Sequence, residues 1–180
     1  MIHQVAVWHA ANRRKGTASS KTRGQVQGST RKIMQQKGSG RARRGDIKSP
    51  VLVGGGQAHG PKPKDWSYSM PKKVRRMAMR SLLSGKLLEG RLTIVDNLNL
   101  TEPKTKLLHA RLEELGLLNA LFVDGEEFHE APEFLQACKN IPWVQLASGL
   151  RANTLDILRR ENLVLTRRAV EHLEGRLDPR

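Results

Sequence analysis

From Leu92 onward, short apolar runs alternate with amphipathic stretches. Leu92–Val95, Ala120–Val123, Trp143–Leu146 and Leu163–Leu165 read as strands. Pro103–Leu115, Pro132–Lys139, Thr154–Arg160 and Thr166–Leu177 read as helices. Gly116 stops the first of these helices, Asp124-Gly125 ends the second strand, and Thr166 is placed to cap the last helix. Apolar strands between helices of two to four turns predict an α/β fold. It would be a Rossmann-like, mainly parallel sheet flanked by helices, with right-handed crossovers. No internal repeat is visible.

Upstream the pattern changes. Pro71 begins a helix, with Ser69 as its expected N-cap. Val74, Met77, Ala78, Leu82 and Leu88 form its apolar stripe, and Lys72, Lys73, Arg75, Arg76 and Arg80 lie mainly around the rest. Met1–Ala11 is ambiguous. Val5 and Val7 alternate as in a strand, whereas Ile2, Val5, Ala6 and Ala10 fit one side of a helix. Between these segments neither a 3.6 nor a 2.0 period appears. The expected organisation is therefore one domain over 1–180, with 1–11 and 66–180 globular and 12–65 an extended basic loop.

That loop changes the picture through its charge. Asn12 to Arg80 holds nineteen Lys or Arg and two acids, a net of +17, while the rest of the +15 chain carries −2. A cationic arm on a near-neutral body suits a polyanionic partner, first of all a nucleic acid. Between Asn12 and Asp65 only ten side chains are apolar and none is aromatic. Burial there cannot offset an ordering cost of roughly 1–2 kcal/mol per residue, so the arm alone should be disordered. Its glycines permit tight turns, its arginines bridge phosphates and stack on bases, and its Ser and Thr hydroxyls suit phosphate oxygens. No apolar run approaches a membrane span.

Other chemistry is weaker. Gly54-Gly55-Gly56 and Gly38-x-Gly40 do not link a strand to a helix as a mononucleotide loop requires, and loop freedom against RNA accounts for them better. In Pro61-Lys62-Pro63-Lys64-Asp65-Trp66 the prolines stiffen the arm's return. Trp66 and Tyr68 are expected to cap the core rather than stack on bases. His3, His9, His59, His109, His129 and His172 show no metal-ligand spacing with one another or with Cys138, so no metal or cofactor is expected. His59 is a candidate RNA contact. Cys138, the only cysteine, excludes an internal disulfide and reads as a buried small hydrophobe. Glu113, Glu114, Asp124, Glu126, Glu127, Glu130 and Glu133 read as a solvated acidic face without a supporting base.

Several motifs in order resemble the L-four family of large-subunit ribosomal proteins. They are Gly16-Thr17-Ala18-Ser19-x-Lys21-Thr22-Arg23, Gln36-Lys37-Gly38-Ser39-Gly40-Arg41-Ala42-Arg43, Ser49-Pro50, Gly54-Gly55-Gly56, Gly60-Pro61-Lys62-Pro63 and Pro71-Lys72-Lys73-Val74-Arg75. Glu102-Pro103-Lys104-Thr105-Lys106 and Leu163-Val164-Leu165-Thr166 follow, so the resemblance spans nearly the whole chain. It implies a structural protein rather than an enzyme, with the loop inserted between a first helix over Met1–Asn12 and the Pro71 helix. It implies binding to large-subunit rRNA, support of subunit assembly, contacts with neighbouring large-subunit proteins, and a loop tip lining the polypeptide exit tunnel beside the nascent chain. Gln36, Lys37, Gly38, Ser39, Gly40 and Arg41 would form that tip. Lys21, Arg23, Arg31 and Lys32 would line the outbound limb, Lys48, Lys62 and Lys64 would line the return, and Arg43 would lie at or near the tip. Arg13, Arg14, Lys15, Thr22, Arg44, His59, Lys72, Lys73, Arg75, Arg76 and Arg80 are further expected rRNA contacts.

Two departures from the family pattern stand out. Ile33-Met34-Gln35 replaces a Pro-Trp-Arg run, so an aromatic stacker and a cation are missing near the tip. A first strand and lead-in that relatives carry ahead of His3 are also lacking, which implies either a sheet missing an edge strand or an edge covered by another chain or by rRNA. Ala58-His59-Gly60-Pro61 and the short start resemble organellar members, which implies a mitochondrial ribosome, with the bacterial cytoplasm as the alternative. The rival reading from another class is an RNA-processing enzyme using Asp124 or Glu127. A third reading adds feedback binding to the protein's own messenger.

Overall fold

The computed structural model describes residues 1–125 and 131–178. Glu126, Glu127, Glu130 and His129, singled out above, lie outside the described residues. The chain divides into two compact units, Met1–Asn12 with Tyr68–Arg180, and Arg13–Ser67.

The first unit is the α/β body. Its elements are α1 (Ile2–Asn12), α2 (Lys72–Leu88), β1 (Leu92–Val95), α3 (Thr105–Glu114), β2 (Ala120–Asp124), α4 (Pro132–Cys138), β3 (Val144–Ser148), α5 (Thr154–Arg159), β4 (Asn162–Thr166) and α6 (Arg167–Leu177). The strands form one sheet in the order β1-β4-β2-β3, with every pair parallel. Leu92 lies opposite Leu163, Leu121 opposite Leu163, and Ala120 opposite Val144. The expected parallel sheet with flanking helices is what the chain forms.

Two-residue alternation along the central strands builds a core on each face. Ala120, Phe122 and Val164 point to one side, where they meet Leu108 and Leu112 of α3 and Phe134, Ala137 and Cys138 of α4. The Phe122 and Phe134 rings meet edge-to-face at 5.1 Å. Leu121, Val123, Leu163 and Leu165 point to the other side, against Met79 and Leu82 of α2, Ile157 of α5, and Ala169, Leu173 and Leu177 of α6. The helices lie on both faces because every central strand is apolar on both.

Met1–Ala11, ambiguous by pattern, is helical. Val5 is fully buried, α1 packs against α2 and α5, and the Trp8 indole Nε1 donates to the Tyr68 carbonyl at 2.6 Å. The Tyr68 amide donates in turn to Asn12 Oδ1 at 3.3 Å, tying the helix end to the returning chain.

Three local expectations need correction. Pro71, not Ser69, is the N-cap residue of α2, and no side chain caps it. On α2 the buried side chains are Ala78, Met79, Leu82 and Lys86, whereas Met77 and Leu88 are exposed. The helix is rotated so that Met79 enters the core and Lys86 finds main-chain acceptors of its own. Trp66 and Tyr68 belong to neither core cluster, and both are at least one-third exposed. Thr166 does cap α6, its hydroxyl accepting from the Ala169 amide at 3.2 Å.

The C-terminal strand ends, where α/β folds place ligand sites, are closed by internal bonds. Thr166 Oγ1 donates to Asp124 Oδ1 at 2.8 Å, and the Gly149 amide donates to the Asp124 and Gly125 carbonyls at 2.7 and 2.8 Å. Asp124 therefore holds two strand ends together.

Candidate nucleic-acid interface

The arm, residues 13–67, contains no helix or strand, as its composition predicts. It is nevertheless closed upon itself. The Lys64 amide donates to the Gly16 carbonyl at 3.0 Å, Ser20 to Pro61 at 3.0 Å, Gln57 to Lys21 at 2.9 Å and Ile33 to Gly45 at 2.9 Å. These rungs join the outbound and returning limbs, so main-chain hydrogen bonds replace the core that the composition cannot supply. The disorder expected from composition is corrected to that extent.

Glycine makes the closure possible at two points. Gly16 has φ +61°, and a Cβ there would overlap the Lys64 carbonyl. Gly56 is buried, and a Cβ there would overlap the Arg23 amide. The close approach made by the triple-glycine segment is thus to the arm's own outbound limb.

Over Arg13–Ser67 there are fourteen bases and two acids, a net of +12. Arg23 lies 4.0 Å from Asp46. Asp65 accepts from the Ser67 amide at 2.8 Å, which holds its carboxyl below the ordinary 3.8. Two acids cannot neutralise fourteen cations, so the arm presents a dense positive field. The expected tip, Gln36, Lys37, Gly38, Ser39, Gly40 and Arg41, is exposed throughout, as are Arg13, Arg14, Lys15, Lys21, Arg23, Arg31, Lys32, Arg43, Arg44, His59, Lys62 and Lys64. Thr22 and Lys48 are half-buried.

Some of these side chains also bond within the arm. Lys62 Nζ donates to the Ser20 carbonyl at 2.8 Å and to Gln25 Oε1 at 3.1 Å, and Lys32 donates to Gln36. Trp66, expected to cap the core, lies instead beneath cations. The Arg14 guanidinium is 3.6 Å and the Lys64 ammonium 4.6 Å from its ring centroid.

On the α/β body the bases of α2 separate into two groups. Lys72 and Lys73 are exposed. Arg75 lies over the Trp8 ring at 5.0 Å, Arg76 donates to the Asp178 carbonyl at 3.3 Å, and Arg80 donates to the Leu177 carbonyl. Arg76 and Arg80 thus satisfy orphan carbonyls and favour the negative end of the α6 dipole. The structure gives these three a fold-building partner, although Arg80, like Lys72 and Lys73, is exposed.

Pattern reading missed two further cations. Arg176 donates to the Gly149, Leu150 and Ala152 carbonyls at 2.7–2.9 Å, and burial lowers its pKa. Lys86 donates to the Arg160 and Glu161 carbonyls. Their acceptors are distant main-chain atoms that carry no sequence signal. A cavity of about 420 Å³ is bordered by Lys72, Arg75, Arg76, Arg151 and Arg176 and, among the described residues, by no acid. Among the described residues, no three His, Cys, Asp or Glu side chains cluster to hold a metal ion, and no helix is long and apolar enough to cross a membrane.

Residues 1–176 match the family model described as Ribosomal protein L4/L1 family. The chain is similar to "Large ribosomal subunit protein uL4" of Desulfatibacillum aliphaticivorans, 46% identical over 178 residues, covering 98% of this chain and 84% of the relative. The protein of the same name from Desulfosudis oleivorans is 44% identical over 98% of this chain and 84% of its own length. That of Hyphomonas neptunium is 39% identical over 99% of this chain and 82% of its own length.

Proposed function

The chain belongs to the ribosomal protein L4/L1 family, and from that membership we propose that it is a structural constituent of the large ribosomal subunit that binds rRNA through its arm. The observation that carries this reading is the +12 arm closed by its own backbone bonds. Because the bases of the arm are exposed, their side chains are what RNA meets. Phosphate neutralisation by Lys and Arg then supplies affinity and register.

Gln36, Lys37, Gly38, Ser39, Gly40 and Arg41 form the end of the arm, which in this reading lines the polypeptide exit tunnel beside the nascent chain. Arg13, Arg14, Lys15, Lys21, Thr22, Arg23, Arg31, Lys32, Arg43, Arg44, Lys48, His59, Lys62 and Lys64 line the rRNA path, continued by Lys72 and Lys73. Arg75, Arg76 and Arg80 act first as struts of the body. The exposed faces of the body meet neighbouring large-subunit proteins. The named relatives come from bacteria, which supports the bacterial cytoplasm over the mitochondrial ribosome. The enzymatic rival loses its described candidate, since the Asp124 carboxylate is bound by Thr166.

The test is sedimentation of the tagged chain from its native lysate, with and without RNase. Co-migration with the large subunit that is lost as rRNA is degraded is the expected result. A free peak that alters RNA would overturn the reading.

A further inference from the structure

We infer that Trp66 is a positioning residue, an aromatic latch that holds the two limbs of the arm together at its base so that the arm meets RNA already closed. This rests on the RNA-binding reading of the arm. Arg14 lies on the outbound limb, and Lys64 on the return, two residues before Trp66. Two like charges drawn from opposite limbs should repel and splay the loop. Instead the guanidinium and the ammonium stand 3.6 and 4.6 Å from one ring centroid, where the π quadrupole attracts both.

The geometry around the ring is matched to this task. The rung from the Lys64 amide to the Gly16 carbonyl is adjacent. A Cβ on Gly16 would stand 3.1 Å from Trp66 Cδ1, so glycine is what lets the outbound limb pass against the ring edge. The next rung, from Ser20 to Pro61, follows directly. Trp66 is 36% exposed and belongs to neither core cluster, so core packing does not explain its presence. The Arg14 guanidinium already sits at stacking distance on the ring.

A closed arm has fewer conformations to lose on binding, so the latch raises affinity by preorganisation and without adding a phosphate contact. This separates it from a residue that touches RNA. Removing a phosphate contact lowers the salt dependence of binding, while removing a latch lowers affinity and leaves the salt slope as it was.

The experiment uses the full chain with Trp66→Ala and Trp66→Phe, and thermal melting confirms that the body remains folded. Amide hydrogen exchange, read by NMR without RNA, is followed at Lys64 and Ser20. We expect exchange at both to rise about tenfold in Trp66→Ala and to stay within about threefold in Trp66→Phe, as two lost cation–π contacts imply. Filter binding to a large-subunit rRNA transcript at several salt concentrations should show affinity several-fold weaker for Trp66→Ala, with an unchanged salt slope. Unchanged exchange in Trp66→Ala overturns the latch. Faster exchange with undiminished rRNA affinity overturns its role in binding. If the unaltered chain does not bind the transcript, the RNA-binding reading fails instead, and the exchange comparison still decides whether Trp66 closes the arm.

Discussion

Replacing Lys86 with Met keeps the aliphatic stem and removes the ammonium that joins α2 to the α5–β4 connection. The side chain is 7% exposed, and Nζ donates to the carbonyls of Arg160 and Glu161 at 2.9 Å each. Two hydrogen bonds from a charged donor contribute ~3–6 kcal/mol together. Met avoids desolvating an ammonium, which offsets a few kcal/mol of that loss. A net destabilisation of about 2 kcal/mol follows. For a domain of this size it lowers the melting temperature by roughly 6–10 °C.

The pH dependence gives a second reading of the same site. Burial lowers the Lys86 pKa from 10.5, Glu89 and Glu161 oppose that shift, and Arg91 reinforces it. Between the lowered folded pKa and 10.5, the unfolded chain binds more protons than the folded one, so stability from this group rises with pH. The advantage of the unaltered protein over Lys86→Met should widen across that interval. Calorimetric melts at pH 7 and in alkaline buffer test both points. A loss under about 2 °C at pH 7 would refute the carbonyl-bridging account. A gap that narrows with rising pH would refute the assigned shift.

Thr166→Val removes both the α6 cap and the bond to Asp124, and urea unfolding should show a loss of ~1–3 kcal/mol. Cys138 is buried and its pKa is pushed up to about 12 by desolvation, so at pH 8 a thiol reagent should label it only as fast as the body unfolds. Replacing Lys37, Arg41 and Arg43 together with Ala should leave the melting temperature within about 1 °C. The same triple variant should reduce the rRNA salt slope by roughly two to three, read by filter binding.

The body was readable because its signals are local. The apolar run Ala120–Val123 and the Thr166 cap need no distant partner to be recognised. Met1–Ala11 was open because its helical identity rests on Val5 entering a core completed more than a hundred residues later. Met79 was missed because a run rich in methionine and leucine permits more than one helical stripe. The arm's charge was legible as composition, whereas its closure was not, since rungs such as Lys64 to Gly16 link main-chain atoms of any residue type. Arg76, Arg80, Lys86 and Arg176 were indistinguishable from solvated bases for the same reason. Trp66 sits among prolines and lysines, and nothing in that spacing reveals that Arg14 lies against its ring.

The placement of α1 bears on how the chain is made. The helix leaves the ribosome well before α5, yet Val5 is buried in a body whose α5 is synthesised only at Thr154–Arg159. Until then α1 has at most half of its docking site, and an isolated helix of this length is marginal in water. The intervening arm adds little to the closure entropy, since each doubling of a loop costs only about 0.6 kcal/mol. Delay, rather than distance, is what the long insertion imposes. Stalled chains that end before Thr154 should hold α1 in a protease-sensitive state, and chains extended past Arg159 should protect it.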